Sequence, residues 1–151
     1  MIRFAILLSL LATACTNHDA HPKLKLADGW ARETVPGQTS AAAYLTILND
    51  GTGADRLVGL QTDAAAHAML HSTVTRDGVT RMRHLKGGLE IPSKAAVELS
   101  PTRTHVMLSG LKAPLYRGET IDLQLKFERS GRKNALIKVV DPSSAGPQQV
   151  R

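Results

Sequence analysis

Thr120-Ile-Asp-Leu-Gln-Leu-Lys-Phe-Glu128 alternates apolar and polar side chains without a break. Successive side chains of an extended chain point to opposite sides, so Ile121, Leu123, Leu125 and Phe127 share one face and Asp122, Gln124, Lys126 and Glu128 the other. That is a strand with one buried and one wet face. Ser130-Gly131 then turns the chain into a second apolar run, Ala135-Leu-Ile-Lys-Val-Val140. Further upstream, Ala43-Tyr-Leu-Thr-Ile-Leu48 ends at the strong turn signal Asn49-Asp50-Gly51, and Arg56-Leu-Val-Gly-Leu60 reads as its partner strand. Val97-Glu-Leu99 and Thr104-His-Val-Met-Leu108 flank a break at Ser100-Pro101. Residues 62–70 are Ala-rich and read as a helical turn. Turn signals recur about every eight to twelve residues, which predicts an all-β, single-domain sandwich or barrel.

The 151 residues suffice for one domain, and 42% hydrophobic residues can build one core. Aromatics make up only 3%, which leaves few platforms for stacking bases or sugars. The single cysteine, Cys15, excludes an internal disulfide framework and a multi-cysteine zinc site. The chain opens with Met1-Ile2-Arg3 and the apolar run Phe4-Ala-Ile-Leu-Leu-Ser-Leu-Leu11, far short of the roughly 20 residues that span a bilayer. This is the pattern of an export signal. Ala12-Thr13-Ala14 suits ordinary release as well as lipoprotein processing; the lone cysteine directly after it, where lipidation would use it, favours the latter. The expected layout is a signal peptide over 1–14, cleaved before Cys15, a flexible tether over 15–25, a β-domain over 26–141 and a loose tail over 142–151. The formal charge of +6 becomes +5 without the leader, which carries only Arg3. Those charges are scattered, so an exported, aromatic-poor chain with no basic stripe is not a nucleic-acid binder.

The chemistry concentrates in one region. Met69, Met82 and Met107 lie among His67, His71, His84 and His105. In Thr104-His-Val-Met-Leu108, alternation puts His105 and Met107 on one face, about 6.7 Å apart along the strand. Val106 and Leu108 take the core face. A buried His105 needs a polar partner, and an exposed Met107 packs against little; a shared metal ion accounts for both. Leu70-His-Ser-Thr-Val74 and Val79-Thr-Arg-Met-Arg83 bracket Thr75-Arg76-Asp77-Gly78 as a hairpin. With a four-residue loop His71 faces Met82; with a two-residue Asp77-Gly78 turn His71 faces His84 and Met82 faces Thr73. Either way His71, Met82 and His84 share a face, because opposed residues do.

Imidazoles with thioethers, and neither carboxylate nor thiolate, form a soft donor set that selects Cu(I). Outside the cytosol paired thiolates tend to oxidise to a disulfide, a route closed to methionine. The candidate ligands are His71, Met82, His105 and Met107, with Met69 and His84 in reserve. His67 reads as local packing, and His18 and His21 as solvated residues on the tether. No nucleophile–base pair or paired carboxylates stand out, so nothing requires an enzyme.

With these residues in view the chain resembles the PCu(A)C family of periplasmic copper chaperones over residues 26–141. Gly29-Trp-Ala-Arg32 resembles the family's opening, and Ala41-Ala-Ala-Tyr-Leu45, Asn49-Asp50-Gly51, Asp55-Arg-Leu57, Gly88-Leu-Glu-Ile-Pro92, Val97-Glu-Leu-Ser-Pro101, His105-Val-Met-Leu108 and Gly110-Leu-Lys112 follow in order. The family motif is His or Met, ten residues, Met, about twenty-one residues, then His-x-Met. Here His71 and Met82 have that spacing and His105 arrives one residue late, a difference that a loop at Gly87-Gly88 absorbs. The resemblance implies a cupredoxin-like/immunoglobulin-like antiparallel β-sandwich that binds one Cu(I) in the periplasm. It further implies delivery to the binuclear copper site of cytochrome c oxidase, directly or through another copper carrier. A copper-tolerance (buffering) protein or a structural envelope lipoprotein are the competing expectations. The His/Met-rich tail of some relatives is lacking here.

Overall fold

The computed structural model describes residues 20–143. The expected signal peptide, Cys15, His18 and residues 144–151 lie outside these. Ten strands account for the regular structure: β1 (Leu24–Arg32), β2 (Ser40–Asn49), β3 (Asp55–Gln61), β4 (Ala65–Arg76), β5 (Val79–His84), β6 (Leu89–Ile91), β7 (Ala95–Leu99), β8 (Thr104–Leu111), β9 (Thr120–Phe127) and β10 (Gly131–Val140). They hydrogen-bond in the order β5-β4-β8-β2-β1-β10-β9-β3-β6, with β7 also on β2. The path folds over so that β3 approaches β4 and β6 approaches β7. The space between is filled by fully buried Leu45, Ile47, Leu57, Leu99, Leu123 and Ile137.

The all-β, single-domain expectation matches this architecture. The β9–β10 hairpin follows the alternation: Leu123, Leu125 and Phe127 are buried while Asp122, Lys126 and Glu128 are exposed. Gly131 at φ 71° makes the turn. Strand pairing departs from a purely antiparallel arrangement at one place, where β1 and β10 run parallel with Trp30, Ala31 and Arg32 beside Lys138, Val139 and Val140. β1 is bulged between Ala27 and Trp30. A Cβ at Gly29, within that bulge, would lie 2.5 Å from the Leu136 carbonyl oxygen, so only glycine admits β10 this closely.

Three local expectations are corrected. Residues 56–60 do not pair with 43–48: β3 pairs with β6 and β9, and β2 with β1, β7 and β8. Asn49 turns inward instead of closing a hairpin. Residues 65–70 are not helical but open β4, where pairing with β8 overrides the helix preference of alanine. Residues 20–25 are held rather than free: β1 begins at Leu24, which is buried, and the carbonyls of Ala20, His21 and Lys23 accept hydrogen bonds from Arg129, Gly53 and Asp50.

Two buried polar residues of the motif string tie these crossings together. Asn49, 1% exposed, accepts from the Lys23 and Gly51 N–H groups through Oδ1 and donates through Nδ2 to the Gly53, Ile91 and Pro92 carbonyls. Asp55 accepts from the N–H groups of Arg56, Arg129 and Ser130 at 2.7, 2.9 and 2.9 Å. Burial pushes the Asp55 pKa up, but these hydrogen bonds outweigh it and hold the carboxyl below its usual range.

Candidate metal centre

β4 lies between β5 and β8, and all three strands carry a His and a Met two residues apart: Met69 and His71, Met82 and His84, His105 and Met107. Two-residue spacing places each pair on one face of its strand. Register then decides how the pairs meet. His71 pairs with His84 on one side and with His105 on the other, Met69 pairs with Met107, and Thr73 pairs with Met82. All six side chains therefore emerge on one face of the three-stranded layer, opposite the face where Leu70, Val106 and Leu108 enter the core.

The β4–β5 turn resolves the alternative left open by the sequence. Arg76 pairs with Val79, leaving Asp77 and Gly78 as a two-residue loop at φ 53° and 74°. Positive φ at both positions is the type I′ geometry that Asp-Gly favours. His71 consequently faces His84, and Met82 sits on the diagonal from His71, beside Thr73. The pairing that puts Met82 directly opposite His71 does not occur.

The four candidate ligands stand in different surroundings. His105 is only 2% exposed, and its Nδ1 lies 3.2 Å from the Arg103 carbonyl. A carbonyl only accepts, so Nδ1 carries the proton and Nε2 is left with its lone pair free for a metal. His71 and Met107 are half-buried, whereas Met82 is 60% exposed. The His71 and His105 ring centroids are 6.2 Å apart, and those of His71 and His84 5.9 Å. With a metal–nitrogen bond of about 2 Å on each side, rings sharing one ion have centroids roughly 5–6 Å apart, so small rotations suffice. Burial lowers the His71 pKa, and the neighbouring His105 and His84 lower it further; the ring thus stays neutral and able to ligate to lower pH than an ordinary imidazole.

Of the reserve residues, Met69 is half-buried against Met107 and His84 is exposed on the rim. His67 lies further along β4, opposite Ser109, and His21 at the far N-terminal crossing. Among the described residues, no three His, Cys, Asp or Glu side chains are arranged to hold a metal ion, so a site on this face must draw on the thioethers.

Two features were not read from the sequence. Trp30, Tyr44, His105, His71 and His84 form a row of rings across five strands, with Trp30–Tyr44 centroids 4.3 Å apart and Tyr44–His105 6.3 Å. Trp30 and Tyr44 are both buried, and they wall off the inner side of His105. Tyr44 has the same strand parity as Ala42, which pairs with Met107, so its facing was a legible signal. The second feature is Thr73, whose buried Oγ1 has no hydrogen-bond partner beside His71 and Met82.

Comparison with known proteins identifies the family and the fold. The LpqE-like family ("Putative lipoprotein LpqE-like") matches residues 24–139. The Leifsonia xyli subsp. xyli protein described as "Putative lipoprotein Lxx21020" is 37% identical over 150 residues, covering 93% of this chain and 88% of that protein. The solution structure of CuI-DR1885 from Deinococcus radiodurans superposes with a TM-score of 0.65 at 29% identity, covering 85% of each chain. The copper-bound PCuAC domain from PmoF2 gives a TM-score of 0.67 at 21% identity over 81% of this chain and 99% of that one. The chain belongs to the LpqE-like family and has the fold of the copper-binding PCuAC domains.

Proposed function

We propose that this protein is an extracytoplasmic Cu(I) carrier, anchored by lipid at Cys15 in the periplasm, that hands its ion to the binuclear copper site of cytochrome c oxidase, directly or through another copper carrier. The observation that carries the reading is the shared face of β4, β5 and β8, on which the two imidazoles of His71 and His105 and the two thioethers of Met82 and Met107 all lie. Such donors bind Cu(I) in preference to zinc, magnesium or calcium. The similarity to a Cu(I)-bound protein at 29% identity supports the same cargo.

The environment suits holding and releasing rather than catalysis. His105 is fixed by its bond to the Arg103 carbonyl and shielded by Tyr44, so the inner donors are preorganised. Met82 stands in solvent on the outermost strand, so an ion it holds is open to an acceptor's donor atom. Cargo thus leaves by exchange of one ligand at a time, without a free ion in solution.

Anaerobic Cu(I) titration followed by X-ray absorption tests this. One Cu(I) per chain with mixed sulfur and nitrogen neighbours is expected. Absence of stoichiometric uptake, or a coordination sphere without sulfur, refutes the carrier role.

A further inference from the structure

Two imidazoles on this face are left unused by the four-ligand site: His67 lies further along β4, opposite Ser109, whereas His84 is placed as a mirror of His105. His84 and His105 are both register partners of His71, one on each side of β4, at centroid distances of 5.9 and 6.2 Å. They differ in access: His105 is 2% exposed, and His84 is exposed on β5, the outermost strand of the sheet path. No three imidazoles among the described residues converge on one point. The His84 and His105 rings flank His71 on opposite sides, so an ion held between His71 and one of them is turned away from the other. Met82, two residues from His84 on the same face, completes an outer set.

We propose that His84 is an exchange ligand: Cu(I) has an inner position on His71, His105, Met107 and Met82 and an outer position on His71, Met82 and His84, and it enters and leaves through the outer one. This rests on the carrier reading. The ion stays Cu(I) throughout. Moving outward, the His105 and Met107 lone pairs leave and the His84 lone pair arrives, so no electron is transferred. Because His71 and Met82 serve both positions, the two cannot be filled together, and one chain carries one ion. An acceptor then meets copper already held by exposed donors, rather than having to reach the buried His105 ring.

The test follows Cu(I) loading, and release to the chelator bicinchoninate, by stopped flow in the full-length protein and in His84→Gln and His105→Gln. Loss of an exchange ligand raises the barrier in both directions, so His84→Gln should slow loading and release alike by about tenfold, the effect of one order of magnitude in a rate. His105→Gln should speed release, because it removes a resident donor. His84→Gln with unchanged rates overturns the proposal, and so does His84→Gln with faster release, which would make His84 a resident ligand. Failure of the wild type to take up Cu(I) removes the carrier reading and this one with it, whereas normal uptake with unaltered rates in His84→Gln removes this one alone.

Discussion

Replacing Met82 and Met107 by leucine separates the metal role of these side chains from their packing role. Leucine is close to methionine in volume and lacks the sulfur lone pairs. Met82 is 60% exposed, so it contributes little buried area and Met82→Leu should change stability by less than about 0.5 kcal/mol. Met107 is half-buried between Ala42 of β2 and Met69 of β4, and a volume-conserving swap there should stay below about 1.5 kcal/mol. Both variants therefore fold. The effect on copper is far larger: loss of residues that merely orient a metal ligand already lowers affinity by about 10- to 100-fold, and loss of a donor should do at least as much. If both sulfurs bind one ion, the double variant should not lose the sum of the single losses, because the second donor has less to hold once the first has gone. Affinity is read by competition with a chromogenic Cu(I) chelator, and the sulfur neighbours by X-ray absorption should fall by one in each variant. Affinities within about threefold of wild type in both single variants would refute the assignment.

Other outcomes follow from the same geometry. Lowering pH should weaken Cu(I) binding by about tenfold per pH unit for each imidazole that must lose a proton; since the His71 pKa lies below the usual 6.5, its share of the loss sets in below that value, and a flat affinity profile down to acid pH would exclude imidazole ligation. The same depression means that apoprotein stability is fully present above about pH 6.5 and falls as pH drops through the lowered His71 value, which urea titrations at several pH values measure. Asn49→Ala strands the buried Gly51 N–H, unpairs the part-buried Lys23 N–H and takes the shared Nδ2 donor from the Gly53, Ile91 and Pro92 carbonyls, a loss of about 3–4 kcal/mol seen as a lower urea midpoint at unchanged m, while Cu(I) stoichiometry in the folded protein stays at wild type. Cys15→Ser should move the protein from the membrane fraction to the soluble periplasmic fraction; equal partitioning would argue against the anchor.

What could be read from the amino-acid order, and what could not, divides along sequence distance. The β9–β10 hairpin is written in strict alternation and a Ser-Gly turn, and strand parity alone placed the His and Met residues of β4, β5 and β8 on one face whichever turn was used. Which residue His71 faces depended on whether Asp77-Gly78 closed a two-residue loop, and alternation is silent on that. Residues 65–70 were misread because alanine's preference is local while the β8 edge that captured them lies some forty residues on. Residues 56–60 were given the nearest partner, although the hydrogen-bond demands of Asn49 pull residues 49–53 inward and send β3 to the other side. The Trp30–Tyr44–His105 row required the β1 bulge and two cross-strand registers, none of which any single segment contains. The positions quoted as family motifs divide in the same way: Asn49 and Asp55 are structural ties, while His71, Met82, His105 and Met107 share one face of the β4–β5–β8 layer.

The parallel junction of β1 with β10 has a consequence for how the molecule is made. The first strand can satisfy one of its edges only with the last, so a chain emerging N-terminus first carries β1 half-unpaired until residue 140 is out. Ring closure over that span is entropically slow and is completed late. A truncation before β10 would leave one edge of β1 and one of β9 unpaired, not merely shorten the C-terminus, and a circular permutant joining the ends would shorten the longest search in the folding reaction.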